Sequence, residues 1–520
     1  MRVQDQEITA DLVHRLGSSA PGESLGSGLA YQYAYFASLS MTGALFYIYL
    51  VHYYPAPVVG SIAILLAIIS LIPPIFSLGF QSGWQHFISY EIGKGNPQKV
   101  ASIIRQAVKT SALLSVLAIT VLLAITPEIT ISLFHSRAYI GLVYSIAPVV
   151  PLIITSIFLN NAILGLQRFK RSGQIGIASV LTVYGSAILL LNFTHSVYSI
   201  PIGWALGYSV STSLYYIDLR DDIHRVLDRE ERFSMRPLIL YSLPLYLTGI
   251  MSSGATYVDR LTVAFLRNLT SVGVYNLALL IASGVAILST PLGAIVFSKL
   301  SEFYGKNDKE LIREGVRLAS NAASIIYVPA ALGLCAISSP VIDVIGGKAY
   351  ESATFPLVII LILSAALIAL QPLSAALQGT RKTYVFILAT SMALVTNTAL
   401  SFTLIPTMAL VGAALGYESA FIVQFTVILY FALKENLVRF DKRFLSRIWL
   451  SATSMAAGVF VIAKITGFRI EFIPLYVGLG LVIYLYLLRL TSTFTDSDKI
   501  VLLRLLPLRP AFIRRLVSYL

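Results

Sequence analysis

A chain of 520 residues that is 57% hydrophobic and only 12% charged, with a mean hydropathy of +0.79, lies outside the balance of soluble domains, so most of it must face lipid. The single cysteine, Cys335, excludes a disulfide framework or a cysteine-built metal site, and the six histidines are too scattered to suggest another. A formal charge of +13 would point to nucleic acid in a soluble protein; here Lys and Arg fall between apolar runs, where they orient a membrane chain, and no nucleic-acid partner is expected.

Residues 1–28 are polar and mixed in charge, without the basic start, apolar run and cleavage site of a signal peptide, and read as a cytoplasmic tail. Crossing roughly 30 Å of hydrocarbon takes about 20 mainly apolar residues, because a helix satisfies its own backbone. Six segments meet that test in the first half: Leu29–Val51, Ala56–Phe80, Ala101–Thr126, Ile140–Leu166, Gln174–Phe193 and Val197–Ile217. A linker at 218–236, dense in both signs of charge, separates them from six more: Pro237–Phe265, Val272–Phe297, Leu318–Ser338, Thr354–Leu377, Thr383–Ile405 and Leu410–Leu433. A last pair, Trp449–Ile465 and Phe472–Leu490, follows within 434–490, before a basic tail at 491–520 that reads as lying on the inner surface.

The expectation is therefore an all-α polytopic protein of about 14 spans, with an N-lobe at 29–217, a C-lobe at 237–433, a terminal pair and both termini cytoplasmic. With the N-terminus inside, about 32 of the 38 Lys and Arg fall on the cytoplasmic side, as the positive-inside bias requires. The two halves also match at a spacing of about 210 residues. Gly203-Trp204-Ala205-Leu206-Gly207-Tyr208 recurs as Gly412-Ala413-Ala414-Leu415-Gly416-Tyr417, Arg137-Ala138-Tyr139 as Lys348-Ala349-Tyr350, and Glu91 with Asn96 as Glu302 with Asn307. Even-numbered halves enter the membrane in the same direction, giving two lobes with a cavity expected between them.

Four motifs, in order along the chain, carry a resemblance. They are Glu91-Ile92-Gly93-Lys94-Gly95-Asn96, then Gly165-Leu166-Gln167-Arg168-Phe169-Lys170, then Asp259-Arg260 with Ser271-Val272-Gly273-Val274-Tyr275-Asn276 and Ala278, and finally Lys348-Ala349-Tyr350. On these the chain resembles the polysaccharide-biosynthesis, or lipid-linked oligosaccharide flippase, branch of the multidrug, oligosaccharidyl-lipid and polysaccharide exporter superfamily, and the likeness spans nearly the whole chain. The resemblance implies two six-helix lobes plus two terminal helices beside which a polyprenyl tail could lie. It also implies a polyprenyl-diphosphate-linked glycan as substrate, membrane lipids and glycan-assembly enzymes as partners, and a place in the plasma or inner membrane. No charged residue occurs from 25 to 90, which departs from cation-coupled drug exporters and from the lipid II flippases, whose first helices carry charges.

Ionisable groups inside spans are costly and mark functional candidates. Arg260 offers a planar fork for a diphosphate, with Asp259 holding it when empty; an interfacial ion pair is the alternative. Glu418, where the first half has Ser209, suits sugar hydroxyls, a proton or a helix neighbour. Asn160, Asn161, Asn276 and Asn397, with Asn321 and Gln371, either line a wet cavity or bond helix to helix. Arg105, Lys109 and Arg317 either gather an anionic head group at the cytoplasmic mouth or anchor helix ends.

No phosphate-binding loop, catalytic residue or cofactor is indicated, so an enzyme is not expected. The expected function is outward flipping of a lipid-linked oligosaccharide by alternating access, for cell-surface polysaccharide or glycoprotein assembly. The alternative is a cation-coupled multidrug exporter of the same fold.

Overall fold

The structure, a computed structural model, describes residues 25–94, 96–224, 234–286, 309–379 and 383–491. The 1–28 tail apart from its last residues, the linker core at 225–233, Gly95, Glu302, Asn307, the far end of the expected 272–297 span and the basic tail lie outside the described residues. The helices of fourteen or more residues are α1 (Leu25–Tyr53), α2 (Ala56–Phe76), α3 (Phe80–Gly93), α4 (Pro97–Phe134), α5 (Val149–Gly165), α6 (Phe169–Thr194) and α7 (Ser199–His224). They continue as α8 (Met235–Leu266), α9 (Leu269–Ala286), α10 (Lys309–Ala336), α11 (Thr354–Leu367), α12 (Thr383–Lys434), α13 (Lys442–Ile465) and α14 (Ile473–Leu490). The protein is an all-α polytopic membrane protein, with no strand among the described residues.

Twelve described helical stretches are long and apolar enough to cross a membrane. The fourteen-segment expectation differs from that reading at two places. α7 has the length, but its serines and its charged end, Asp218 to Asp222, lower its mean hydropathy. The 52-residue α12 is a hairpin of two arms: Ala409 leaves helical geometry (φ 50°, ψ −127°) three residues after Pro406, and Gly412 and Gly416 on the second arm face Leu404 and Ser401 on the first. Arg267 donates to the carbonyls of Ile405 (2.6 Å) and Pro406 (2.8 Å) at that break, satisfying acceptors the interrupted helix cannot.

The second expected span also ends early. Pro73-Pro74 removes backbone donors, and Leu78 (φ 51°) and Gly79 (φ 70°) turn the chain before α3 begins at Phe80. Gly79 allows that turn twice over, since a Cβ there would stand 2.6 Å from the Ser242 carbonyl oxygen.

The chain divides into two compact units, Met1–Tyr53 with Ile64–Ser253, and Tyr54–Ala63 with Gly254–Leu520. Lipid tails are as apolar as leucine, so helices in each unit associate by close packing and internal hydrogen bonds. The repeated glycines show how. In the first unit a Cβ on Gly203 would lie 2.6 Å from the Ala187 backbone, and one on Gly207 2.6 Å from the Val183 nitrogen, bringing α7 onto α6. In the second unit Gly412 would meet the Leu404 carbonyl at 2.5 Å. The repeated Arg137-Ala138-Tyr139 and Lys348-Ala349-Tyr350 both form short 3-10 turns. The terminal helices belong to the second unit, where the Tyr484 hydroxyl donates to the Ile325 carbonyl of α10 at 3.1 Å and Thr466 bonds Tyr476. One side of α14, at Leu475, Val477, Leu481, Val482 and Tyr486, stays exposed, as a lipid-facing surface must.

Candidate functional site

Within the second unit α9 approaches the start of α2 at backbone contact. A Cβ on Gly60 would fall 1.8 Å from the Leu269 oxygen, and one on Gly273 2.5 Å from the Ala56 oxygen. The Ser271–Asn276 motif thus opens with packing: Asn268 accepts from the Ser271 N–H at 2.9 Å, starting α9, and Gly273 permits the crossing. The next two residues serve other ends. Tyr275, fully buried, donates its hydroxyl to Asp259 Oδ2 at 2.6 Å, and Asn276 turns into a cavity.

That cavity, of about 430 Å³, lies wholly within the second unit and is walled by α8, α9, α10, α11, the second arm of α12 and Gln371. Its polar lining includes Arg260, Asn276, Tyr327, Ser364, Gln371, Tyr417 and Glu418, and Phe421 and Phe425 supply aromatic faces. Glu418 is 1% exposed, about 13 Å along its helix from Ala409 at 1.5 Å per residue. Ser364 donates to its Oε1 at 2.8 Å; its Oε2 is buried with no hydrogen-bond partner. Burying a carboxylate oxygen without a partner is expensive, which makes Glu418 a candidate for meeting a ligand.

Arg260 is the cation of the cavity. Its Nη1 reaches the Thr256 carbonyl of its own helix at only 3.4 Å, its guanidinium lies 5.0 Å from the centre of the Tyr257 ring, and its Nε is buried without a partner. The expected hold of Asp259 on Arg260 is replaced by a different pairing. Asp259, 0% exposed, accepts from Tyr275 instead, its Oδ1 stays unpartnered, and no ion pair of Arg260 occurs among the described residues. The guanidinium is left with donors to spare.

The structure therefore gathers Arg260, Asn276 and Glu418, with Asp259 behind them. The other candidates fall elsewhere. Asn397 is fully buried between helices, donating to the Ala255 carbonyl at 3.0 Å and accepting from Ser401 at 3.0 Å. Asn160, in the first unit, accepts from Ser172 (2.7 Å), which accepts from Gln32 (3.0 Å), tying α5, α6 and α1; Asn161 bonds its own helix at Ile157. Asn321 is buried with neither amide atom bonded.

Among the cytoplasmic-mouth candidates, Arg105 donates to the Ile223 carbonyl at 2.6 Å, bracing α4 against the end of α7. Arg317 is engaged by Glu314 (2.5 Å) and Asp441 (3.6 Å), and Lys109 is exposed. The loop motifs resolve into clamps. Glu91 accepts from Asn96 (3.0 Å) beside Lys99 (3.9 Å), and Arg168 pairs with Asp218 (3.0 Å) and Asp222 (2.8 Å). Burial works against the Arg168 charge, but the coulombic pull of Asp222 and the bond to Asp218 outweigh it and hold the guanidinium pKa above its ordinary value.

The sequence alone marks neither Ser364 nor the aromatic walls. Phe421 and Phe425 sit three and seven residues after Glu418, hence on one helix face, and that spacing is the signal that would have found them.

Residues 59–355, more than half the chain, match the family described as Polysaccharide biosynthesis protein. Over 360 residues, 66% of this chain and 72% of the relative, it is 21% identical to the probable low-salt glycan biosynthesis flippase Agl15 of Haloferax volcanii. In three dimensions it is similar to the lipid II flippase MurJ in an inward closed conformation, with a TM-score of 0.71 and 17% identity over 88% of this chain and 98% of that one. It is also similar to an inward-facing multidrug resistance MATE family transporter of the MOP superfamily, with a TM-score of 0.58 and 16% identity over 76% and 96%. At such identities the structural likenesses show a shared fold.

Proposed function

The chain belongs to the polysaccharide biosynthesis protein family, and from that premise we propose that it is a flippase moving a polyprenyl- or dolichyl-diphosphate-linked oligosaccharide from the cytoplasmic to the outer leaflet of the cell membrane by alternating access. The carrying observation is the cavity within the membrane-spanning helices in which Arg260 Nε and Glu418 Oε2 are both buried and unpartnered. Polar atoms placed so deep among apolar helices await a polar ligand. A diphosphate suits Arg260, whose planar fork matches phosphate oxygens, and a glycan suits Glu418, Asn276 and Gln371, which accept from or donate to hydroxyls.

No bond is made or broken in this transfer. With an inside-negative potential, carrying two negative charges outward is favourable by roughly 4.6 kcal/mol per 100 mV, so a coupling ion is not required. The likeness to Agl15, a probable low-salt glycan biosynthesis flippase, supports the choice of glycan.

The test is reconstitution into vesicles loaded with a fluorescent polyprenyl-diphosphate oligosaccharide, with quenching from outside. Transfer should exceed that of protein-free vesicles at least tenfold without an imposed proton or sodium gradient, and should be lost in Arg260→Ala. Gradient-driven dye efflux with no glycan transfer would instead favour a drug exporter.

A further inference from the structure

The cavity is small for a whole glycan. At about 430 Å³ it stands at the lower end of pockets that enclose a small molecule, room for the groups next to the diphosphate and little more. Its charges are also unevenly shared. Arg260 is the only cation among the lining residues, whereas two buried carboxylates belong to the neighbourhood, Glu418 on the wall and Asp259 behind Arg260.

We propose that this cavity is a specificity subsite for the first sugar of the lipid-linked glycan, and that it selects a neutral, hydroxyl-bearing ring over an acidic one. This inference rests on the flippase reading. Arg260 takes a phosphate oxygen. Glu418 Oε2, held in place by the Ser364 bond at Oε1, accepts from ring hydroxyls. Phe421 and Phe425, one and two turns further along the same face, offer flat apolar walls to the C–H side of the ring; the Tyr417 ring, 5.1 Å from that of Phe421 and set edge-on, steadies the first of them.

Discrimination follows from charge. A neutral sugar supplies the donors that the unpartnered oxygen lacks. A uronate in the same place buries a further carboxylate in a low-dielectric cavity whose single cation is already committed to phosphate. The first unit carries Ser209 in place of a carboxylate at the matching repeat position.

The experiment compares transfer, in the vesicle assay, of two lipids that differ only in the first sugar, polyprenyl-diphospho-glucose and polyprenyl-diphospho-glucuronate, by wild type, Glu418→Gln and Phe425→Leu. Wild type should prefer the glucosyl lipid at least tenfold. Glu418→Gln should narrow that preference to threefold or less, chiefly by admitting the uronate, and Phe425→Leu should slow the glucosyl lipid about fivefold while keeping the preference. Equal transfer of both lipids by wild type, or a preference unchanged in Glu418→Gln, overturns the subsite while leaving the flippase reading intact. Transfer of neither lipid overturns the subsite, and the flippase reading falls with it only when the oligosaccharide lipid is not moved either. A Glu418→Gln protein too unstable to reconstitute is replaced by Ser364→Ala, which frees Oε1 and should loosen the same preference without removing the carboxylate.

Discussion

Among the described residues each of the two compact units buries two carboxylates, and they are treated in opposite ways. In the first unit Glu91 is bonded by Asn96 beside Lys99, and Asp222 is held by Arg168; both lie in the last turn of a helix. In the second, Asp259 and Glu418 lie inside spans, each with one oxygen bonded by a hydroxyl and the other unpartnered. Paired buried charge braces a fold; a buried carboxyl with an unpartnered oxygen costs stability and marks a functional candidate. The same helix-crossing glycines serve both units, so the repeat preserves packing while the described carboxyls with unpartnered oxygens fall in one copy.

That contrast can be broken by substitution. Arg260→Ala removes the cavity's cation and should weaken phosphate-dependent binding and flipping by about 2–3 kcal/mol, roughly 30- to 150-fold, with thermal unfolding in detergent nearly unchanged. Gly203→Val and Gly412→Val should do the reverse, each lowering stability by about 1–3 kcal/mol because the crossing helices must separate, and the melting temperature reads the loss. Arg168→Ala removes the shortest ion pairs of Asp218 and Asp222, leaving Arg171 3.8 Å from Asp218. The cost should be about 1–2 kcal/mol, below that of a fully buried pair because Arg168 is 27% exposed, with transport per folded molecule preserved. At Gly249, where a Cβ would meet nothing within 4 Å, Gly249→Ala should stabilise by up to about 1 kcal/mol through helix propensity alone.

Apolar runs announced the membrane helices because lipid forces each span to satisfy its own backbone within about 20 residues. The Leu78–Gly79 break was less legible: Pro73-Pro74 signalled a bend, but the turn depends on the Gly79 backbone meeting Ser242, far along the chain. Glu418 stood out as a lone carboxylate in an apolar run. Its partner Ser364 lies 54 residues away and carries no mark of its own.

The amides divided for a related reason. Asn276 and Asn397 look alike in sequence, yet one lines the cavity and the other is consumed between Ala255 and Ser401, a difference set by which helix faces which. Arg105 and Arg317, candidates for a head-group funnel, are engaged by Ile223 and by Glu314 and Asp441, partners that only folding brings near or orients.

The most direct measurement is an electron cryo-microscopy map of the protein with a polyprenyl-diphosphate disaccharide. Head-group density should bridge Arg260 and Glu418, with a sugar ring against Phe421. A head group bound elsewhere, with only water in that cavity, would contradict it.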